Sequence, residues 1–352
     1  MQISSLSKLS LGTIAAAAFL AACSGNTGST VPGVGGVQSQ SRVTHAVHAI
    51  PAWLLSPAGI FHGNPMPDKK KKSKGLIYVS SFAGDSVFGF TTAGKSSCSI
   101  NTGDEAINGN AADPKGNLIL PLGAARTVSV YKPNCGAEIG ASFADNDGQP
   151  SSASSFNAAT GTIAIGNITS TATGVGSVDV CTVSGGCTSN ITSSNITGYG
   201  GGVLLDTKGN CYLTSENASF TASTMTYWAG CKGSGTAVTG WKNTYYGSIT
   251  LDKKGNIDAI DFEGGGTGQL WVYKGCNPAC TLVGGPFALH GYAIFGSVNK
   301  KGNTFGAVEF ETGEVDLYKY SPTKLTYTSS FSSGFSATDE AEGFAFAPSV
   351  KK

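Results

Sequence analysis

A short turn sequence recurs along this chain and constrains its fold more than any other feature. It has the form Asp-x-Lys-Gly-Asn at residues 113–117, 206–210 and 252–256, and begins with Asn at 299–303. Weaker copies surround Gly75 and Gly161. The glycine supplies the positive φ that a tight hairpin turn needs, and β-forming residues resume directly after it. The sequence therefore predicts pairs of β-strands joined by short turns, repeated along the chain.

The spacing of these turns predicts the blades of a propeller. Their glycines lie at positions 75, 116, 161, 209, 255 and 302, so successive turns are 41 to 48 residues apart. A period in the forties built from short strands is typical of propeller blades. The first copy has no strand before it, whereas the C-terminal segment 342–348 is a strand without a partner, so we expect this segment to close the ring in blade one. The predicted fold is all-β: a six-bladed β-propeller of four-stranded antiparallel blades.

A third strand follows each hairpin and alternates apolar with polar residues, as half-buried antiparallel strands do. These strands are predicted at 86–90, 127–131, 177–181, 224–228, 269–273 and 314–318. The succession of strand, Lys-Gly-Asn turn, strand, loop and Val-x-Val-Tyr resembles the NHL and SMP-30/gluconolactonase-like family of six-bladed propellers over about residues 75–348. This resemblance implies the architecture and leaves the activity open, because the fold hosts many functions.

The N-terminus has the features of an export signal. Residues 1–22 contain Lys8, an apolar run from 11 to 20 and then small residues, a stretch too short to span a membrane. Leu20-Ala21-Ala22-Cys23 resembles the lipobox of bacterial lipoproteins, which implies cleavage before Cys23 and acylation of that cysteine. Under the Gram-negative sorting rule, Ser24 after the acylated cysteine implies an outer-membrane address. The alternative is an ordinary signal peptide with an incidental cysteine.

The segment between the signal and the first repeat is predicted to be a flexible, lipid-bearing tether, residues 23–74. Some 50 residues rich in Gly, Ser and Pro place the folded body about 40 Å from the lipid. Residues 24–74 carry six basic residues against one acidic residue, whereas the propeller, residues 75–352, carries 16 against 21. An acidic body argues against a nucleic-acid partner. The lysines at 69–72 either contact anionic headgroups or belong to a solvated spacer.

Nine cysteines in an exported chain predict one acylated residue and eight in disulfides. Two pairs close short loops, a third falls within one blade and the last two cysteines remain. The candidate pairs are Cys276–Cys280, Cys181–Cys187, Cys211–Cys231 and Cys98–Cys135. A zinc site would need more close ligands, and the propeller contains one histidine, His290.

The loops that enter the innermost strands gather at one end of the central channel of such a propeller. They carry the candidate ligand-binding residues Glu105, Tyr199, Tyr245, Tyr246, His290, Tyr292, Glu340 and Glu342. Loops between second and third strands add further acids on the same side, including Glu216, Asp261 and Glu309. Tyrosines suit stacking on a flat or sugar-like ligand and carboxylates suit Ca²⁺ or Mg²⁺. The alternative is that the tyrosines pack blade ends and the acids keep the surface soluble.

The aspartates of the turn sequence are excluded from this site. Asp113, Asp206 and Asp252 begin their turns, where an aspartate accepts backbone hydrogen bonds. We therefore expect them to serve the fold.

Two functional hypotheses from different classes follow. The first is a lipid-anchored cell-envelope module, without a certain cofactor, that binds a glycan, a peptide or an envelope protein. The second is a metal-dependent hydrolase or lyase of the SMP-30/gluconolactonase or streptogramin-lyase type, with Glu105, Asn108, Glu340 and Glu342 as candidate metal ligands. One histidine excludes a three-histidine zinc lyase and leaves His290 as the one histidine general base. The absence of a nucleophile elbow, a phosphate-binding loop and a His-Glu-x-x-His motif favours the first hypothesis.

Overall fold

The computed structural model describes residues 75–103, 109–145, 150–170, 173–262, 267–336 and 338–348. The first twelve strands, in chain order, are β1 (Leu76–Ser81), β2 (Ser86–Thr91), β3 (Ser96–Asn101), β4 (Ala111–Ala112), β5 (Leu118–Leu122), β6 (Thr127–Tyr131), β7 (Phe143–Ala144), β8 (Ser151–Asn157), β9 (Thr162–Asn167), β10 (Ser177–Thr182), β11 (Gly186–Ile191) and β12 (Gly198–Leu205).

The second half of the chain continues with β13 (Cys211–Asn217), β14 (Ser223–Trp228), β15 (Thr236–Ala237), β16 (Ile249–Leu251), β17 (Ile257–Asp261), β18 (Gln269–Lys274), β19 (Thr281–Ala288), β20 (Ala293–Val298), β21 (Thr304–Glu309), β22 (Glu314–Ser321), β23 (Lys324–Ser332) and β24 (Ala341–Ala347). A short 3-10 helix spans Ala229–Cys231. Within the described ranges, no helix has the length and hydrophobicity needed to cross a membrane.

These strands form six sheets of four antiparallel strands, and each sheet is one blade. Five blades use consecutive strands, from β4–β7 in blade two to β20–β23 in blade six. Blade one has the order β24-β1-β2-β3, with Leu76 opposite Ala347 and Val79 opposite Phe344. The six-bladed all-β fold and the closure of the ring by the C-terminal strand are thus confirmed. Gly75 precedes β1 without forming a hairpin turn, because the inner strand of this blade comes from the other end of the chain.

The hydrophobic core lies between adjacent blades. In β5, Leu118 and Leu120 pack with residues of blade one, while Ile119 between them packs with Ile163 and Ile165 of blade three. All three β5 residues are fully buried, as both faces of the strand are covered. The sequence of β5, Leu-Ile-Leu-Pro-Leu, is accordingly a continuous apolar run.

The recurring turn is built by its first side chain. In blade two, Asp113 Oδ1 accepts hydrogen bonds from the backbone N–H groups of Lys115 and Asn117, both at 2.8 Å, and Oδ2 accepts one from Asn117 Nδ2 at 2.7 Å. Gly116 has the left-handed backbone that the turn requires, with φ at 81°. Equivalent bonds occur at Asp206 and Asp252, so the structural role predicted for these aspartates is confirmed.

Replacing one turn aspartate is expected to lower stability without affecting ligand binding. Asp113→Ala removes three hydrogen bonds, two of them to backbone N–H groups, and should lower the free energy of unfolding by about 1–3 kcal/mol. Urea unfolding measures the loss, and Lys115→Ala, an exposed change in the same turn, should stay within about 0.5 kcal/mol of wild type. Equal stabilities for both variants would contradict this role.

Four disulfides reinforce the blades, and they join the same cysteine pairs as the sequence predicts. Cys98–Cys135 connects β3 of blade one to the segment after β6 of blade two. The other three lie within single blades: Cys181–Cys187, Cys211–Cys231 and Cys276–Cys280. Four disulfides in one domain are typical of an exported protein.

Candidate functional site

A central channel runs between the six innermost strands and contains a cavity of about 250 Å³. The cavity is lined by one segment from each blade: residues 109–112, 153–156, 202–205, 248–251, 295–298 and 344–346. Small residues dominate several of these segments, such as Ala111, Ala112, Ser154 and Ser155, and leave the axis open. The N-terminal ends of the inner strands meet at one end of this channel, and the second strands end at the same face.

Aromatic rings from blades five and six form a connected group at this end. Phe262, which follows β17, contacts three tyrosines, with ring centroids 5.7 Å from Tyr245, 5.2 Å from Tyr246 and 5.8 Å from Tyr292. Tyr292 in turn meets Phe310, which follows β21, at 5.7 Å. With the carboxylates of Glu216, Glu340 and Glu342, these five rings are called the mouth cluster below.

Asp261 holds the loop that carries Tyr245 and Tyr246 in place through hydrogen bonds to its backbone. Its carboxylate oxygens accept hydrogen bonds from the backbone N–H groups of Thr244 at 2.8 Å and Tyr245 at 2.9 Å. The adjacent Tyr246 ring lies against Gly201 of blade four, where an added Cβ would come within 2.1 Å of the ring. Position 201 therefore requires a glycine, because any side chain there would clash with the Tyr246 ring.

Two carboxyl groups of the mouth cluster are buried without partners. Glu216, near the end of β13, and Glu342, near the start of β24, are each 1% exposed. Within the described part of the chain, neither oxygen of either group accepts a hydrogen bond, and neither group forms an ion pair. Removing a carboxylate from water without a partner strongly disfavours its charged form.

The pKa values of both groups reflect this burial. Desolvation raises the pKa of Glu216 from its ordinary value of 4.5 to about 8; the backbone of Tyr246 lowers it in part, and the charge of Asp261 raises it. Burial raises the pKa of Glu342 well above the usual range, and the nearby charge of Glu340 adds to the shift. Burial likewise raises the pKa of Glu340. Burial thus favours the protonated form of both Glu216 and Glu342.

The Tyr292 hydroxyl lies where groups from several blades converge. Its pKa is raised first by burial and then by the charges of Glu342, Glu311 and Glu216, with a further contribution from Tyr245. Tyr292 itself is 8% exposed. The mouth therefore combines aromatic faces, a buried hydroxyl and two buried carboxyl groups, and the described residues place no Lys or Arg in an ion pair with them.

The remaining predicted site residues have other surroundings. Tyr199 stacks on Phe220 of its own blade at 5.2 Å. His290 is exposed, and its ring packs on Tyr327 of the outer strand β23 at 4.7 Å. Glu340 has a left-handed backbone, with φ at 50°, and its carbonyl accepts a hydrogen bond from the Phe82 N–H. Cys23, Glu105 and Asn108 lie outside the described residues.

Glu216 was predicted on the same side as the candidate site but was not included among the site residues. A period-two pattern marks it, because Glu216 continues the face of Tyr212 and Thr214, which are buried. Glu309, which ends its second strand, lies at the same distance from its turn glycine as Glu216 does, and Asp261 ends its strand one residue earlier; both are buried. An acid that continues a buried face is expected to be buried. Phe262 directly follows Asp261, and Phe310 directly follows Glu309. No other feature of the sequence marks these two phenylalanines as site residues.

Several solved structures are similar in fold to this chain. One is the nidogen/laminin complex, with a TM-score of 0.57 and 12% identity over 78% of this chain and 99% of that chain. TolB from Acinetobacter baumannii matches with a TM-score of 0.53 and 14% identity, over 78% of this chain and 67% of that chain. Kuenenia stuttgartiensis hydrazine synthase matches with a TM-score of 0.51 and 10% identity, over 74% of this chain and 80% of that chain. No protein-family profile and no curated protein sequence matches the chain.

These similarities support the six-bladed β-propeller fold alone. The relation to the NHL and SMP-30 family stays a prediction from the sequence pattern. The chain is thus defined as a disulfide-containing, six-bladed β-propeller with an aromatic and acidic cluster at one end of its channel.

Proposed function

We propose that this protein is an exported binding module whose mouth cluster takes a positively charged nitrogen group of its ligand. The observation that carries this proposal is the pair of buried carboxyl groups, Glu216 and Glu342, which accept no hydrogen bond from the described residues. A bound cation would replace the proton on each group and restore a partner to the buried charge.

The aromatic rings favour an organic cation. Tyr and Phe faces attract ammonium and guanidinium groups through the ring quadrupole, with larger energies where water is excluded. Phe262 and Tyr292 occupy the centre of the ring contacts in the mouth cluster and are only partly or barely exposed. The carboxyl groups of Glu216 and Glu342 lie close enough to Tyr292 for their charges to raise its pKa, so rings and acids can act on one ligand group. The acidic propeller surface attracts the same ligands at longer range.

The cellular setting of this module follows from the N-terminal sequence. We propose that residues 1–22 are removed, that Cys23 is acylated at the bacterial outer membrane, and that residues 23–74 hold the propeller away from the lipid. Such an anchor leaves the mouth free to meet a glycan, peptide or envelope protein that carries amino groups. A protein partner is compatible with the fold, since one propeller of similar fold was solved in a nidogen/laminin complex.

A thermal-unfolding series tests this function. The oxidised protein is heated with tetralysine, arginine amide or tetramethylammonium, and separately with Ca²⁺ or Mg²⁺. A cation present at about 100 times its Kd stabilises the folded state by about 2.7 kcal/mol, which corresponds to a Tm rise of about 5–10 °C for a domain of this size. We expect such a rise with an organic cation, and its loss in Glu342→Gln and Glu216→Gln.

The control is Glu138→Gln, which removes an exposed carboxylate in blade two and should keep the full rise. No rise with any cation would contradict the proposal. A rise confined to Ca²⁺ or Mg²⁺ and lost in Glu342→Gln would instead support the metal-dependent hydrolase or lyase class.

A further inference from the structure

A second cluster of potential ligands lies at blade six and uses none of the side chains of the mouth cluster. The loop before β20 supplies His290, the end of β21 supplies Glu309, and the start of β22 supplies Glu314 and Asp316. One ligand atom from each of these four residues lies within 4.8 Å of all the others. We infer that these four side chains form a binding site for a divalent first-row transition metal ion.

The distances fit a shared ion better than direct contacts. His290 Nδ1 lies 4.0 Å from Glu309 Oε1 and 3.7 Å from Asp316 Oδ1, both too long for hydrogen bonds. Ligand atoms that share one ion at about 2.0–2.2 Å are separated from one another by roughly 3–4.4 Å. Small side-chain adjustments would therefore bring the four groups into one coordination sphere.

Burial gives an independent indication of a missing partner. Asp316 is 2% exposed, and its Oδ1, the oxygen that faces His290, accepts no hydrogen bond from the described residues. Glu309, also buried at 8% exposure, brings a second carboxylate close to it. Two buried acids beside each other repel unless one of them holds a proton or a cation lies between them.

The surrounding residues orient the ligand atoms as the outer contacts of metal sites do. The Tyr318 hydroxyl accepts a hydrogen bond from the His290 backbone N–H at 2.7 Å and donates one to Asp316 Oδ2 at 3.2 Å, which leaves Oδ1 facing inward. The Thr312 hydroxyl donates to Glu309 Oε2 at 2.6 Å, so that Oε1 faces His290. Both carboxylates therefore keep one oxygen toward the cluster.

Glycine at position 291 is needed for this approach. An added Cβ on Gly291 would lie 2.0 Å from Glu309 Oε1. Because residue 291 has no side chain, the backbone of the loop that carries His290 can lie close to the Glu309 carboxylate.

The donor set decides the class of ion. Ca²⁺ and Mg²⁺ take oxygen ligands, whereas one imidazole with three carboxylates suits Mn²⁺, Fe²⁺ or Zn²⁺. The imidazole of His290 therefore favours a transition metal ion over Ca²⁺ or Mg²⁺. Removing His290 tests this choice of ion. His290 is exposed, so its replacement leaves the core unchanged.

The experiment uses the full chain without an affinity tag, titrated with Zn²⁺ and Mn²⁺ by calorimetry, with bound metal counted after dialysis. We expect one equivalent of tightly bound ion and at least about 10-fold weaker binding in His290→Ala. Asp316→Asn, which keeps the side-chain shape, should weaken binding similarly. The exposed Glu311→Gln, next to the cluster but outside it, should bind as wild type does.

Binding by His290→Ala with wild-type affinity, or the absence of stoichiometric binding by wild type, would overturn the inference. The histidines outside the propeller, at positions 45, 48 and 62, are controlled by the same variant, because it leaves them in place. The result is independent of the mouth cluster, since neither Glu216 nor Glu342 is changed.

Discussion

The free energy of unfolding of the ligand-free protein is expected to fall by up to about 5 kcal/mol as pH rises from about 4.5 to 8, through Glu216 alone. The pKa of Glu216 is about 8 in the folded protein because its carboxyl group is buried, against 4.5 when it is exposed. Between these values the folded state holds a proton that the unfolded state has released. Stability from this group is therefore complete below about pH 4.5 and is lost as pH rises through 8.

Glu216→Gln should remove this pH dependence. The neutral amide resembles the protonated acid, so variant and wild type should be similar at pH 5, and the variant should become the more stable of the two toward pH 8. Urea unfolding at several pH values measures the difference, in buffers free of amines such as Tris and imidazole, which would themselves be ligands. Glu138→Gln should keep the wild-type slope. Parallel curves for Glu216→Gln and wild type would show that Glu216 is already ionised at neutral pH.

Phe344→Ala is expected to lower the free energy of unfolding by about 3–5 kcal/mol. Phe344 lies in the ring-closing strand β24, is 3% exposed and packs edge-on against Phe346 at 5.2 Å. It also contacts blade six, where a Cβ on Gly306 would come within 2.4 Å of its ring. Truncating it leaves a cavity at the seam between the two ends of the chain.

Chemical unfolding followed by tryptophan fluorescence measures this loss. The control is Leu282→Ala on the outer strand β19, where the side chain is 37% exposed and truncation should change stability by less than about 0.5 kcal/mol. Similar small effects at both positions would contradict the role of β24 in closing the ring.

The fold was largely predictable because its signals are local. Each turn needs a glycine with positive φ and an acid or amide that bonds to nearby backbone, so Asp113 and Gly116 reveal a hairpin without knowledge of distant residues. The closing strand followed from one unpaired strand at each end of the propeller. The cysteine pairs were predictable because two pairs close short loops, a third pair lies within one blade, and only two cysteines of the propeller then remain.

The candidate site was less predictable because it depends on which blades face each other. Glu342 was identified from the loop it follows, but its lack of a partner comes from packing between the first and last blades. Tyr199, which like Tyr246 is followed by a glycine, packs on Phe220 of its own blade, whereas Tyr246 packs on Phe262. His290 meets Asp316 through the turn between β21 and β22, a contact that spacing along the chain does not specify.

Binding of a cation at the mouth in exchange for protons is tested most directly by the affinity of the protein for tetramethylammonium at several pH values. This ion stays charged at every pH, so any dependence belongs to the protein. For each proton displaced, the affinity should rise up to about 10-fold per pH unit between pH 5 and 8, and the rise should be smaller in Glu216→Gln. An affinity that is unchanged across this range, or no binding at any pH, would contradict this exchange.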